Sequence, residues 1–153
     1  MLNAGDVAPD FELEADDGQA VRLGNLRGTS VILYFYPKDD TPGCTIQACD
    51  FRDNLSEFER RGWEIFGISP DNRPSHERFK AKYDINFQLL SDPTHEVAKL
   101  YGVWGNKKMY GREYEGIIRS TFLIDEAGHI VQVRRKVKPK DHAASVLADL
   151  SDS

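Results

Sequence analysis

"TSVILYFYPKDDTPGCTIQAC", residues 29–49, sets a continuous apolar run directly before a Thr-Pro-Gly turn and both cysteines of the chain. Thr29–Pro37 is β-branched and aromatic along most of its length, the composition of a central strand covered on both faces, and Pro37 ends it. From Pro42 to about Arg61 the period changes. Cys44, Ala48, Phe51, Leu55 and Phe58 follow one another at steps of 4, 3, 4 and 3 residues, which is one face of a helix. A buried strand that feeds an amphipathic helix is the beginning of an α/β unit.

The flanking segments extend the pattern. Upstream, "DFELE" and "AVRL" around "ADDGQ" read as a hairpin. Downstream, "WEIFGIS" reads as a strand, and "RPSHERFKAKYD" as a helix that opens with Pro and Ser signals. "FQLLSD" is a short strand and "PTHEVAKLYG" a short helix closed by Gly102. "VWGNKKMYGREYEG" has no single period and several glycines, and is expected to be a loop. "IIRSTFLID" and "HIVQVRRKV", joined by "EAG", form a terminal hairpin, and "PKDHAASVLADL" an amphipathic helix. Strands alternating with helices predict an α/β domain with a mixed sheet, and 153 residues suit a single domain over 1–153.

Composition excludes several classes of function. A net charge of −5 offers no basic stripe for nucleic acid. The longest apolar run, Val31–Tyr36, is far short of the roughly 20 residues that cross a bilayer. "MLNAGDVAPD" lacks a basic segment followed by an apolar stretch, so no signal peptide is expected. Two cysteines in a chain of this length do not form a disulfide scaffold, which favours a reducing cytoplasm.

The chemistry therefore turns on the cysteines. Thr41 suits an N-cap whose hydroxyl accepts from a first-turn N–H, and Pro42 suits the first helical position. Cys44 then lies in the first turn, where free N–H groups and the helix dipole favour a thiolate. Cys49 is about 140° round the helix, and ideal helical geometry separates the two Cα atoms by about 8.6 Å. A disulfide tolerates no more than about 7 Å. Inert packing of two small residues explains the spacing alone equally well. The C-x-x-C of thioredoxin-type motifs is absent, and His76, His95, His129 and His142 are scattered too widely to complete a zinc site.

Taken together, these residues resemble a known family. "PKDDTPGC" (37–44) follows the P-x-x-x-T-x-x-C motif of peroxiredoxins. "IIRSTFLID" (117–125) is similar to the family's arginine strand, and "YGVWGNKKMYGREY" to the loop before it. A second cysteine five residues after the first marks the bacterioferritin comigratory protein, or PrxQ, class. The likeness runs from "GDVAPDFEL" to the final helix. It implies a thioredoxin-like fold, its mixed central sheet flanked by helices and extended by an N-terminal β-hairpin.

The resemblance also implies roles. Cys44 corresponds to the peroxidatic cysteine, oxidised to a sulfenic acid. Thr41 corresponds to the hydroxyl beside sulfur and peroxide, and Pro37 to the residue shielding the pocket. Arg119 corresponds to the guanidinium that stabilises thiolate and departing oxygen; inside an apolar strand its charge would demand an anionic partner. Cys49 corresponds to the resolving cysteine, which closes a Cys44–Cys49 disulfide. The implied substrate is a hydroperoxide and the implied reductant thioredoxin or a similar dithiol protein, with no cofactor and no metal. An intramolecular disulfide needs no second subunit, so a monomer is expected. A peroxide sensor that relays oxidation to a partner is the alternative, distinguished by the absence of turnover without that partner.

Overall fold

A computed structural model describes residues 1–150. Strands β1 (Glu12–Ala15) and β2 (Ala20–Arg22) form the N-terminal hairpin, followed by a short 3-10 turn and β3 (Ser30–Phe35). Helix α1 (Pro42–Arg60), β4 (Trp63–Ser69), α2 (Arg73–Tyr83), β5 (Gln88–Ser91) and α3 (Glu96–Leu100) come next. The chain finishes with β6 (Trp104–Met109), β7 (Arg112–Ile117), β8 (Ser120–Ile124), β9 (Ile130–Arg135) and α4 (His142–Leu150).

The main sheet runs β2-β1-β5-β4-β3-β8-β9, with β3 parallel to β4 and antiparallel to β8. Its centre explains the uninterrupted apolar run. Val31, Leu33 and Phe35 point to one apolar layer, shared with Val97 and Ala98 of α3 and with Tyr101. Ile32, Tyr34 and Tyr36 point to the other, shared with α1, Phe79 of α2, and Ala143 and Val146 of α4. Both faces of β3 are covered, so Val31–Phe35 is aliphatic or aromatic throughout. Cys44, Ala48, Phe51, Leu55 and Phe58 are all buried, as the helical stripe requires.

Two expectations need correction. The segment after Gly102 is not a loop: β6 and β7 pair as an antiparallel hairpin outside the main sheet. Most of β7 is exposed, so no apolar alternation betrays it. It is held instead by cross-strand contacts such as Trp104 Nε1 donating to Glu115 Oε2 at 2.8 Å. Its turn, Tyr110-Gly111, has both residues at positive φ, 52° and 77°, as a two-residue hairpin turn demands. Arg119, moreover, is not inside a strand. It occupies the connection between Ile117, the end of β7, and Ser120, the start of β8.

Candidate active site

The position of Arg119 follows from one ladder. Ser120 faces Phe35 across the β3–β8 pair, so the residue before Ser120 lies at the end of β3 from which the chain leaves for α1. Val137 N donates to Arg119 O at 3.0 Å and fixes the backbone from the other side. The guanidinium then reaches α1: Arg119 Nη2 donates to Cys44 Sγ at 3.2 Å, and Nη1 to Gln47 Oε1 at 2.6 Å. Gly43 makes room for this. A Cβ there would stand 3.3 Å from both Arg119 Nη2 and Pro139 Cγ.

Cys44 is 2% exposed and Cys49 half-buried, and both are free thiols. Pro42 occupies the first turn and Thr45 N donates to Thr41 O at 2.8 Å, which seats Cys44 in the first turn as expected. The expected side-chain cap from Thr41 is not made. Its hydroxyl instead donates to Lys38 O at 2.9 Å, because the preceding turn, with Asp40 at φ 57°, folds that carbonyl back within reach. A hydroxyl that donates to a carbonyl keeps its lone pairs, so Thr41 Oγ1 can still accept from an O–H brought to the sulfur. Pro37 follows β3 and is half-buried.

Three features had no part in the reading of the sequence. Gln47 is fully buried against Arg119, and its Nε2 has no hydrogen-bond partner among the described residues. A polar residue three positions after Cys44, on the same helical face, was the signal that could have found it. Lys107 of the β6–β7 hairpin donates to Ile117 O at 2.9 Å. Burial and the Arg119 charge lower its pKa, while a negative Cys44 raises it, so a second cation lies within electrostatic range of the sulfur.

The third feature is a buried anchor under residues 37–41. Asp39 Oδ1 accepts from Tyr36 OH at 2.6 Å, and Oδ2 accepts from Ser75 Oγ at 2.8 Å and meets His76 Nδ1 at 2.7 Å. The other nitrogen of His76 faces Leu90 O at 3.0 Å, and Asp39 N donates to Asp71 Oδ2 at 2.7 Å. No run or period marks a contact between residues this far apart in sequence. His76 is thus a structural histidine, and among the described residues no cluster of His, Cys, Asp or Glu could hold a metal ion.

The buried thiol of Cys44 thus lies in the first turn of a helix, touched by a guanidinium and near an ammonium, a setting found around reactive cysteines. The comparisons with known proteins identify the family. Residues 4–133 match the AhpC/TSA family. This chain belongs to that family. It is a peroxiredoxin, and thus a peroxidase. Peroxiredoxin Bcp of Bacillus subtilis is 48% identical over 151 residues, 99% of this chain and 96% of its own length. Peroxiredoxin Bcp of Escherichia coli K12 is 47% identical over 146 residues, covering 95% and 94%.

Among solved structures, PrxQ of Xylella fastidiosa superposes with a TM-score of 0.94 at 35% identity, over 99% of this chain and 97% of the other. The bacterioferritin comigratory protein of Xanthomonas campestris, studied for its alkyl peroxide reduction activity, gives 0.88 at 41% identity, over 93% and 90%. The thioredoxin-like fold expected of this peroxiredoxin is therefore the observed one.

Proposed function

We propose that this peroxiredoxin reduces hydrogen peroxide and organic hydroperoxides through Cys44 and Cys49 and is recycled by thioredoxin or a similar dithiol protein. The thiolate of Cys44 attacks the terminal peroxide oxygen. The O–O bond breaks, the sulfur becomes a sulfenic acid, and the departing oxygen leaves as water or an alcohol after taking up a proton. Arg119 stabilises the thiolate and the charge growing on that oxygen, Thr41 accepts from the peroxide O–H, and Pro37 shields the pocket. The thiol of Cys49 then attacks the Cys44 sulfenic acid; the S–S bond forms, and the hydroxyl leaves as water. Thiol exchange with the reductant restores both thiols, so no bound cofactor or metal takes part. The chain acts as one domain, as a monomer, in the cytoplasm.

The 3.2 Å contact between Arg119 Nη2 and Cys44 Sγ carries this reading. The test is a coupled assay with thioredoxin and its reductase, run on hydrogen peroxide and two organic hydroperoxides. Cys44→Ser abolishes consumption of all three, since an alcohol is un-ionised at neutral pH. Cys49→Ser is oxidised once, then stalls and accumulates sulfenic and over-oxidised Cys44. Sustained turnover by either variant overturns the assignment of that cysteine, and loss of turnover unless another oxidisable protein is added identifies a relay instead.

A further inference from the structure

The residue next to Cys49 is tied to a helix that takes no part in the chemistry. Asp50 Oδ2 accepts from Ala143 N at 2.7 Å. Ala143 is the second residue of α4, so its N–H is one of the donors that a helix cannot satisfy within itself. Asp50 thus supplies an N-terminal cap to α4 from another helix. On the same side of α1, Gly43 lies against Pro139, just ahead of α4. The two contacts fall on either side of the stretch that holds Cys44 and Cys49.

We propose that Asp50 is a positioning residue that latches the start of α1 to α4 and thereby sets how fast the disulfide closes after peroxide has reacted. The proposal rests on the Cys44–Cys49 resolution step. While the helix is intact, the two Cα atoms are about 8.6 Å apart, beyond the reach of a disulfide. Bringing Cys49 round to the Cys44 sulfenic acid requires non-helical backbone at residues 49–50, and that movement pulls the Asp50 carboxylate off Ala143. The chemical step is unchanged: sulfenic acid and thiol give disulfide and water, the Cys44 sulfur being reduced and the Cys49 sulfur oxidised. What Asp50 controls is the population of open chain from which that step starts. Closing the disulfide also uncaps α4, so oxidation is felt at residues 142–146, far from either sulfur in sequence.

The test uses the full chain and two variants. Asp50→Ala removes the acceptor, and Asp50→Asn keeps a neutral, weaker one. After one equivalent of peroxide, the Cys44–Cys49 disulfide, followed by mass spectrometry of quenched samples, should form about tenfold faster in Asp50→Ala, with Asp50→Asn between it and the parent. In a Cys49→Ser background, neither substitution should alter the rate of Cys44 oxidation, which separates the latch from general damage to the site. In the parent, the Ala143 amide should lose hydrogen-exchange protection on disulfide formation. Parent rates in both variants, or an Ala143 amide equally protected in both redox forms, overturn the latch alone. Absence of any Cys44–Cys49 disulfide in the parent overturns the latch and the resolution step together.

Discussion

At the scale of single residues, Arg119 divides its guanidinium between a sulfur and an amide oxygen, and each half has a separate consequence. Removing the positioned donor in Arg119→Ala should lower kcat/KM for peroxide by about 10²–10³. Lysine should rescue it poorly, because an ammonium cannot serve Cys44 and Gln47 with a planar fork. Loss of the acceptor alone, in Gln47→Leu, should cost about tenfold, the scale of one hydrogen bond to a charged group. Single-turnover kinetics under excess peroxide would measure both. An Arg119→Ala variant at the parent rate would make the arginine purely structural. The amide of Gln47 that holds Arg119 also carries a buried nitrogen with no hydrogen-bond partner among the described residues.

At the scale of elements, the start of α1 lies between two firm supports. Upstream, Asp39 ties residues 37–41 to Tyr36, Ser75 and His76. Downstream, Phe51 stacks on Tyr34 at 4.7 Å between ring centroids, and Phe58 is fully buried. Between them, Gly43 weakens the helix by about 1 kcal/mol relative to alanine. Oxidation to the disulfide should therefore expose amides from about Gly43 to Asp50 to exchange, with protection kept at Asp39 and from Leu55 onward. A uniform profile in both forms would contradict this.

Much of this element-level order was legible in the sequence, because periodicity reports burial. The apolar run of β3 and the 4-3-4-3 stripe of α1 announce a covered strand and a half-buried helix. The β6–β7 hairpin was not legible: most of β7 is exposed and the turn is Tyr-Gly, so neither a clear alternation nor a turn signal marks it. In the site, Cys44 and Arg119 could be found from motif resemblance. Asp39–His76 and Asp50–Ala143 could not, since polar pairs 37 and 93 residues apart leave no trace in local pattern.

At the scale of the whole molecule, His142 makes stability depend on pH. It is 5% exposed, its Nε2 lies 2.8 Å from Thr121 Oγ1, and Phe51 meets it edge-on. Burial, with the charges of Arg134 and Arg119, pushes its pKa down to about 4 from 6.5. Between those values the unfolded chain binds a proton that the folded one refuses, so this contribution is complete above pH 6.5 and is lost as the pH falls toward 4. Urea unfolding at pH 7.5 and pH 4.5 should differ by about 2–3 kcal/mol more in the parent than in His142→Asn. Equal differences would show that the imidazole does not titrate in this window.

The β3–β8 ladder has a consequence of another kind. Cys44 and Arg119 are 75 residues apart in the chain, yet their separation in space is measured across one strand pair. Chain length between them is therefore free to change, provided that register is not. Four Gly/Ser residues inserted between Tyr110 and Gly111, at a turn where Tyr110 is 98% exposed, should leave peroxidase activity within about twofold. One residue inserted between Arg119 and Ser120 should abolish it, because Arg119 would then no longer directly precede the residue that the ladder sets opposite Phe35. The site tolerates drift in the length of its hairpin and none between Arg119 and β8.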